Sequence, residues 1–294
     1  PGSKSNVSVL DPLRAGRPRP LFLPGWGWLP ITGLVLTLFF GLIAAFGPWL
    51  MTHDPQSYSY FLNELPSSGH WLGTDDTGQD IYSRLILGTR LSLGVGAAAA
   101  LVALSIGAGL AIIAMSLGPW AESIVFAIVD LIRALPGVLF ALALIVALEP
   151  GVSSVVLALG MGFSPYFARI TKATYDQEMA RPYTQAAKVL GASPLRVALR
   201  HVAPNIAGAL ITQFTIILPR CIVSEAVLSF LGLGVSPEVP TWGRMISSAV
   251  PYIEEAPHTA LIPILALSVL TFALAMIGDE LRRRFDPSRR KIAT

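Results

Sequence analysis

The sequence is organised as long apolar runs separated by shorter polar connections. Crossing a bilayer takes about 20 mainly apolar residues in a helix, and six segments meet that need. They run from about Ile31 to Met51, Leu91 to Leu117, Ala121 to Leu148, Val152 to Ile170, Ile206 to Leu233 and Thr259 to Gly278. Gly160, Gly162 and Pro165 interrupt the fourth. The pattern predicts an all-α polytopic membrane protein with about six transmembrane helices.

Composition agrees. Hydrophobic residues make up 53% of the chain and charged residues 13%, against about a quarter charged in soluble domains. Mean hydropathy is +0.62 and the pI is near 9.2. Because Lys and Arg sit between apolar segments, the basic balance reads as membrane topology and not as nucleic-acid binding. The N-terminal tail (Lys4, Arg14, Arg17, Arg19), the connection after the fourth span (Lys172, Arg181, Lys188, Arg196, Arg200) and the C-terminus (Arg282, Arg283, Arg284, Arg289, Arg290, Lys291) are basic. Only an even number of spans with cytoplasmic termini puts all three on one side. The opposite loops, about 52–90 and 234–258, hold few basic residues (Arg84, Arg90, Arg244) and several acidic ones. Residues 1–20 are polar and Pro/Arg-rich and do not read as a cleavable signal peptide. Cys221 is the single cysteine, so no intrachain disulfide forms.

In the second span Ala99, Ala103, Gly107 and Ala111 recur every fourth residue. Small residues in that register let helices approach closely, either within the bundle or at a subunit interface.

Unusually, about 34 residues, Lys172 to Asn205, are spent on one polar connection. Tyr183, Ala186, Ala187 and Leu190 fall at i, i+3, i+4 and i+7, which predicts a short helix with one apolar face. Gly191 follows where a helix C-terminus calls for positive φ. Ser193 offers an N-cap oxygen and Pro194 a preset first turn. A second helix has Leu195, Ala198, Leu199 and Val202 on one face and is expected to close at Pro204–Asn205.

The run Tyr183-Thr-Gln-Ala-Ala-Lys-Val-Leu-Gly191-Ala-Ser-Pro-Leu-Arg196, ending at Pro204-Asn205, resembles the loop of ABC-importer permeases that reads Glu-Ala-Ala, three residues, Gly and a later Pro. Gln185 stands in place of the usual Glu, and His201 and Ala203 in place of aliphatic residues. Three further stretches resemble the C-type permease of dipeptide, oligopeptide and nickel importers: His70-Trp-Leu-Gly-Thr-Asp-Asp-Thr-Gly-Gln-Asp80 through Leu93; Ser224-Glu-Ala-Val-Leu-Ser-Phe-Leu-Gly-Leu-Gly234 with Pro240-Thr-Trp-Gly243; and Gly278-Asp-Glu-Leu-Arg282 with Asp286-Pro287. Together they cover roughly residues 31–290.

The resemblance implies a type I ABC-importer transmembrane fold. Residues 1–87 would be a cytoplasmic tail, first helix and external loop. Residues 88–280 would form the transmembrane domain with its coupling loop at 172–205, and 281–294 a basic cytoplasmic tail. Gln185, Ala186, Ala187, Leu190, Gly191, Ala192, Ser193 and Pro204 would dock on an ATPase. The implied partners are a homologous second permease, two ABC ATPase subunits, an extracytoplasmic solute-binding protein and membrane lipid. The implied location is the bacterial inner membrane.

Ionisable residues within spans are default site hypotheses. Asp130 and Arg133 lie three apart on one face of the third span, placed to pair with each other. Arg220, just after Pro219, and Glu225 lie in the fifth. These four are the candidates for a translocation path, and an Arg suits a peptide carboxylate.

No Gly-x-x-x-x-Gly-Lys-Ser/Thr motif occurs, so ATP and Mg are expected on partner subunits and no cofactor on this chain. His53, His70, His201 and His258 are scattered without paired ligand spacing, so no metal is expected. No membrane-enzyme motif appears. The sequence reads as a non-catalytic importer permease for di- or oligopeptides, with nickel, metal chelates or glutathione as alternative solutes and an ATP-independent channel or secondary transporter as the alternative class.

Overall fold

The computed structural model describes residues 27–58, 61–149, 151–235 and 239–285. The basic residues Lys4, Arg14, Arg17, Arg19, Arg289, Arg290 and Lys291, and the Asp286-Pro287 pair, lie outside them. The described residues are almost wholly helical. The elements are α1 (Trp28–Leu50), α2 (Ile81–Leu117), α3 (Pro119–Ala134), α4 (Gly137–Leu148), α5 (Val152–Met179), α6 (Pro182–Val189), α7 (Pro194–Val197), α8 (Ala203–Phe230), α9 (Trp242–Ala249) and α10 (Pro257–Phe285).

Four helices are long and apolar enough to span a membrane: α1, α2, α10 and the continuous stretch Pro194–Phe230. The bent pair α3–α4 is long and apolar enough to make a fifth if it crosses as one broken span. The sixth expected segment is α5, set apart by composition: Ser153, Ser154, Ser164 and Arg169 lower its hydropathy. It packs against α2, α3, α4 and α8, and a helix surrounded by protein needs little lipid-facing apolar surface.

Three expectations are corrected. The third span is not one helix: α3 and α4 meet at 99°. Pro136 has no N–H and pushes Leu135 to extended backbone (φ −91°, ψ 141°), as the residue before a proline prefers. The second span starts ten residues early, because Asp80 caps α2 by accepting the Ser83 N–H at 2.8 Å. The helix after Ser193 does not close at Pro204. A π turn, Ala198–Val202, carries it into α8, and the widened turn accommodates the missing proline N–H and its ring.

The small residues of α2 serve the bundle itself. Ala99, Ala103 and Ala111 are fully buried. A side chain at Gly107 would meet the Ser164 carbonyl and come within 2.8 Å of the Phe167 Cβ on α5. At the other end, buried Trp242 of α9 stacks edge-on against Phe40 of α1 at 5.8 Å and donates its indole N–H to the Leu85 carbonyl at 3.2 Å. That end of the bundle is therefore tied across α1, α2 and α9.

Candidate functional site

The connection after α5 is built as a rigid bracket. At the end of α6, Gly191 has φ +83°. Its N–H donates to the Lys188 carbonyl at 3.0 Å and the Ala192 N–H to the Ala187 carbonyl at 3.1 Å. This bond pair is the Schellman arrangement, which satisfies carbonyls that a helix end leaves bare. Ser193 then caps the next helix by accepting the Arg196 N–H at 3.4 Å.

Thr184, which sequence reasoning missed, anchors the bracket. It is fully buried. Its hydroxyl donates into a cluster of carbonyls from Arg181 (2.6 Å), Glu178 (2.9 Å) and Met179 (3.1 Å). Gln185 adds a bond from its amide to the Met179 carbonyl at 2.6 Å. The Tyr183 hydroxyl bonds Glu178, and burial followed by that carboxylate pushes the Tyr183 phenol up to about 12. Beneath, Val197, Ala198, Val202 and Ile206 pack with Ile112 of α2 and Tyr175 of α5, joined by Ala187 and Ala192. The bracket is thus fastened to α2, α5 and α8 together.

The apolar faces differ from expectation. Leu190 and Val189 are each 87% exposed, and Tyr183, Leu195 and Leu199 are exposed as well. The helix turns Thr184 inward, where its single hydroxyl proton lies within reach of three carbonyls, and the larger apolar side chains outward. Ala186 and Gln185 share the exposed side, and Pro204 opens α8.

Next to the bracket lies a cleft of about 890 Å³. Its walls come from α5 (Thr174, Gln177, Glu178), α8 (Thr212, Gln213, Arg220) and α10 (Arg282), with Arg181 and Asn205 at the bracket end. Arg220 is exposed and stacks its guanidinium over the Tyr166 ring at 5.9 Å.

The other three charged candidates lie elsewhere. Glu225 does not line the cleft: it is fully buried, accepting the Ser229 hydroxyl at 2.7 Å, with Ser92 and Thr241 adjoining it. Asp130 pairs with Arg169 of α5 and not with Arg133. The bundle brings α5 alongside α3, so Asp130 finds a cation across the helix interface, 39 residues on in sequence. Arg133 is exposed on α3. A parallel pair joins Lys172 to Glu122.

Comparison with known proteins fits this geometry. Residues 102–291 match the family model described as "Binding-protein-dependent transport system inner membrane component". The chain is 36% identical over 247 residues to the glutathione transport system permease protein GsiD of Pectobacterium atrosepticum, covering 83% of this chain and 82% of that one. It is 36% identical over 261 residues to the GsiD of Shigella flexneri, covering 88% and 86%. In fold it resembles the MetNI methionine ABC transporter in inward-facing conformations, with TM-score 0.56, 19% identity and coverage of 68% of this chain and 95% of that one. An amino acid ABC transporter gives TM-score 0.55 at 17% identity, covering 69% and 95%. The chain belongs to the family of binding-protein-dependent transport system inner membrane components and is a permease subunit of an ABC importer.

Proposed function

We propose that this chain forms half of the pathway of an ATP-driven importer of short peptides. A homologous permease would supply the other half, two ATPase subunits would bind ATP and Mg, and an extracytoplasmic binding protein would deliver the solute. In this reading the chain sits in the bacterial inner membrane among lipid, with the bracket and both termini cytoplasmic. It binds no cofactor.

The cleft beside the bracket carries the proposal. Arg220 and Arg282 present guanidinium groups, Arg181 and Glu178 an ion pair at 3.5 Å, and Gln177, Gln213 and Asn205 amides. A short peptide offers a carboxylate that an Arg fork holds bidentately, an amine for a carboxylate, and amides for amides. The lining offers no imidazole or thiolate, the donors a bare nickel ion favours. The relatives named for glutathione transport point to a short peptide of that class.

The coupling role follows from the bracket. Its exposed apolar residues, with Gln185, Ala186, Leu190, Gly191 and Ser193, offer a docking surface that half-buried Ala187 and Ala192 support from beneath, and Thr184 and Gln185 fasten that surface to α5. Motion of a docked ATPase would reach α5 and α8, which carry the cleft. Mass spectrometry of the solute on the copurified binding protein tests the solute class. A short peptide is expected; a free metal ion with no organic ligand would overturn it. Purification without stoichiometric ATPase subunits would instead favour a channel or secondary transporter.

A further inference from the structure

His53, His70 and Asp80 are far apart in the sequence and meet at one point in the fold. His53 follows the end of α1, His70 lies in the connection to α2, and Asp80 caps α2. The ligand atoms of the three lie within 4.8 Å of one another. His70 Nδ1 is 3.0 Å from Asp80 Oδ1, and His53 Nδ1 is 3.9 Å from Asp80 Oδ2. The two imidazole rings stack at 4.7 Å with 34° between their planes.

Capping explains Asp80, and a hydrogen bond explains His70. His53 Nδ1 lies 3.1 Å from the Thr52 hydroxyl and 3.9 Å from the second Asp80 carboxylate oxygen, and neither a cap nor a local hydrogen bond explains its imidazole lying over that of His70. We propose that these three side chains form a binding site for a divalent ion that favours imidazole and carboxylate donors, Zn²⁺ being the best fit. Bonds to such an ion are about 2.0–2.2 Å and tetrahedral, which puts neighbouring ligand atoms roughly 3.4 Å apart. Separations of 3.0 Å from His70 to one carboxylate oxygen and 3.9 Å from His53 to the other lie on either side of that value, with all three ligand atoms within 4.8 Å. Side-chain rotations that release His53 from Thr52 and His70 from its hydrogen bond would bring one atom of each residue to the ion. Ca²⁺ and Mg²⁺ prefer all-oxygen sets.

The surroundings hold the donors in place. The Ser83 backbone N–H bonds Asp80 Oδ2 at 2.8 Å, and the Ser83 hydroxyl accepts the His53 backbone N–H at 3.1 Å. The His70 N–H donates to the Ser67 hydroxyl at 3.1 Å. The Asp80 side chain is 1% exposed and that of His53 40%, so a buried anchor faces an accessible imidazole. In neutral His70 the Nδ1 proton that now bridges to Asp80 would shift to Nε2 on metal binding. Three protein ligands leave a position for water or for a donor brought by a solute. The bound ion would clasp the chain after α1 to the start of α2.

The test uses the assembled, tag-free transporter in nanodiscs, stripped with a chelator and titrated with ZnCl₂ against a fluorescent zinc indicator. The expected result is one Zn²⁺ per copy of this chain beyond what the His53→Ala/His70→Ala variant retains. Each single substitution should weaken binding at least about tenfold, the scale of losses seen even for groups behind the ligands. Zn²⁺ should raise the thermal midpoint of wild type and not of the double variant. Equal Zn²⁺ binding by wild type and double variant overturns the proposal. So does a His53→Ala protein that binds as wild type, since that reduces the cluster to the His70–Asp80 hydrogen bond. Half-exposed His53 can be truncated without opening a core, so this single variant decides the matter even if the double variant fails to assemble.

Discussion

The Gln185 amide donates to the Met179 carbonyl at 2.6 Å, so an exposed polar residue of the bracket holds the last residue of α5. Buried Thr184 reaches the same carbonyl from below at 3.1 Å. A docked ATPase would thus pull on α5 through two side chains.

Thr184→Val removes the buried hydroxyl, while the Arg181, Glu178 and Met179 carbonyls keep other donors. The expected loss is about 0.5–1.5 kcal/mol, and about 1 kcal/mol or less for the exposed Gln185→Ala. Thermal unfolding of the assembled transporter measures the first effect. ATP hydrolysed per solute imported measures the coupling, and it should rise in Thr184→Val. An unchanged ratio would show that the tie transmits no motion.

Glycines along α2 divide sharply. A side chain at Gly107 would press on Ser164 and Phe167, while nothing lies within 4 Å of one at Gly94 or Gly109. Gly107→Ala should destabilise by about 1–3 kcal/mol through overpacking. Gly94→Ala and Gly109→Ala should be neutral or stabilise by up to about 1 kcal/mol. Midpoints from a thermal-shift series in one detergent decide this, and equal shifts at all three would contradict the α2–α5 packing.

Arg220→Ala removes a guanidinium from the cleft wall and its stacking on Tyr166. Assembly should survive while uptake of the solute carried by the binding protein falls about tenfold or more, the scale of one lost charged contact of about 1.5–3 kcal/mol. Arg220→Lys, a point charge without the fork, should recover only part. Unchanged uptake kinetics in Arg220→Ala would make the residue structural.

Asp76 lies outside the spans, and burial, then Asp75, raises its carboxyl above the usual range despite Arg84 and Arg244. A raised pKa means the folded state favours the protonated form. That favourable contribution is complete below the ordinary carboxylate range and is lost as pH rises through the raised value. Asp76→Asn should therefore be more stable than wild type at neutral pH, and the difference should vanish in acid. Parallel unfolding curves across pH check the sign.

Much of this was legible in the sequence. Hydropathy marked the spans, and Gly191, Ser193 and Pro194 marked the turn, because capping is local chemistry. The four-residue rhythm Ala99–Ala103–Gly107–Ala111 marked a close helix contact but not its partner. Pro136 was a visible break passed over within a long apolar run. Partnerships were hidden where they depend on tertiary placement, as for Asp130 with Arg169, Trp242 against α1 and α2, and His53 with His70 and Asp80. Thr184 was hidden because a buried threonine in an amphipathic helix has the same spacing as an exposed one.

Leu190 offers the most direct measurement of the central claim, that the bracket couples this permease to an ATPase. It is 87% exposed, so Leu190→Arg should insert and fold as wild type while placing a charge on the docking surface. Uptake and ATP hydrolysis would be measured together in proteoliposomes containing the assembled transporter and its binding protein. The account predicts that uptake is lost and that solute-loaded binding protein no longer stimulates hydrolysis. Wild-type uptake and stimulation in Leu190→Arg would contradict it.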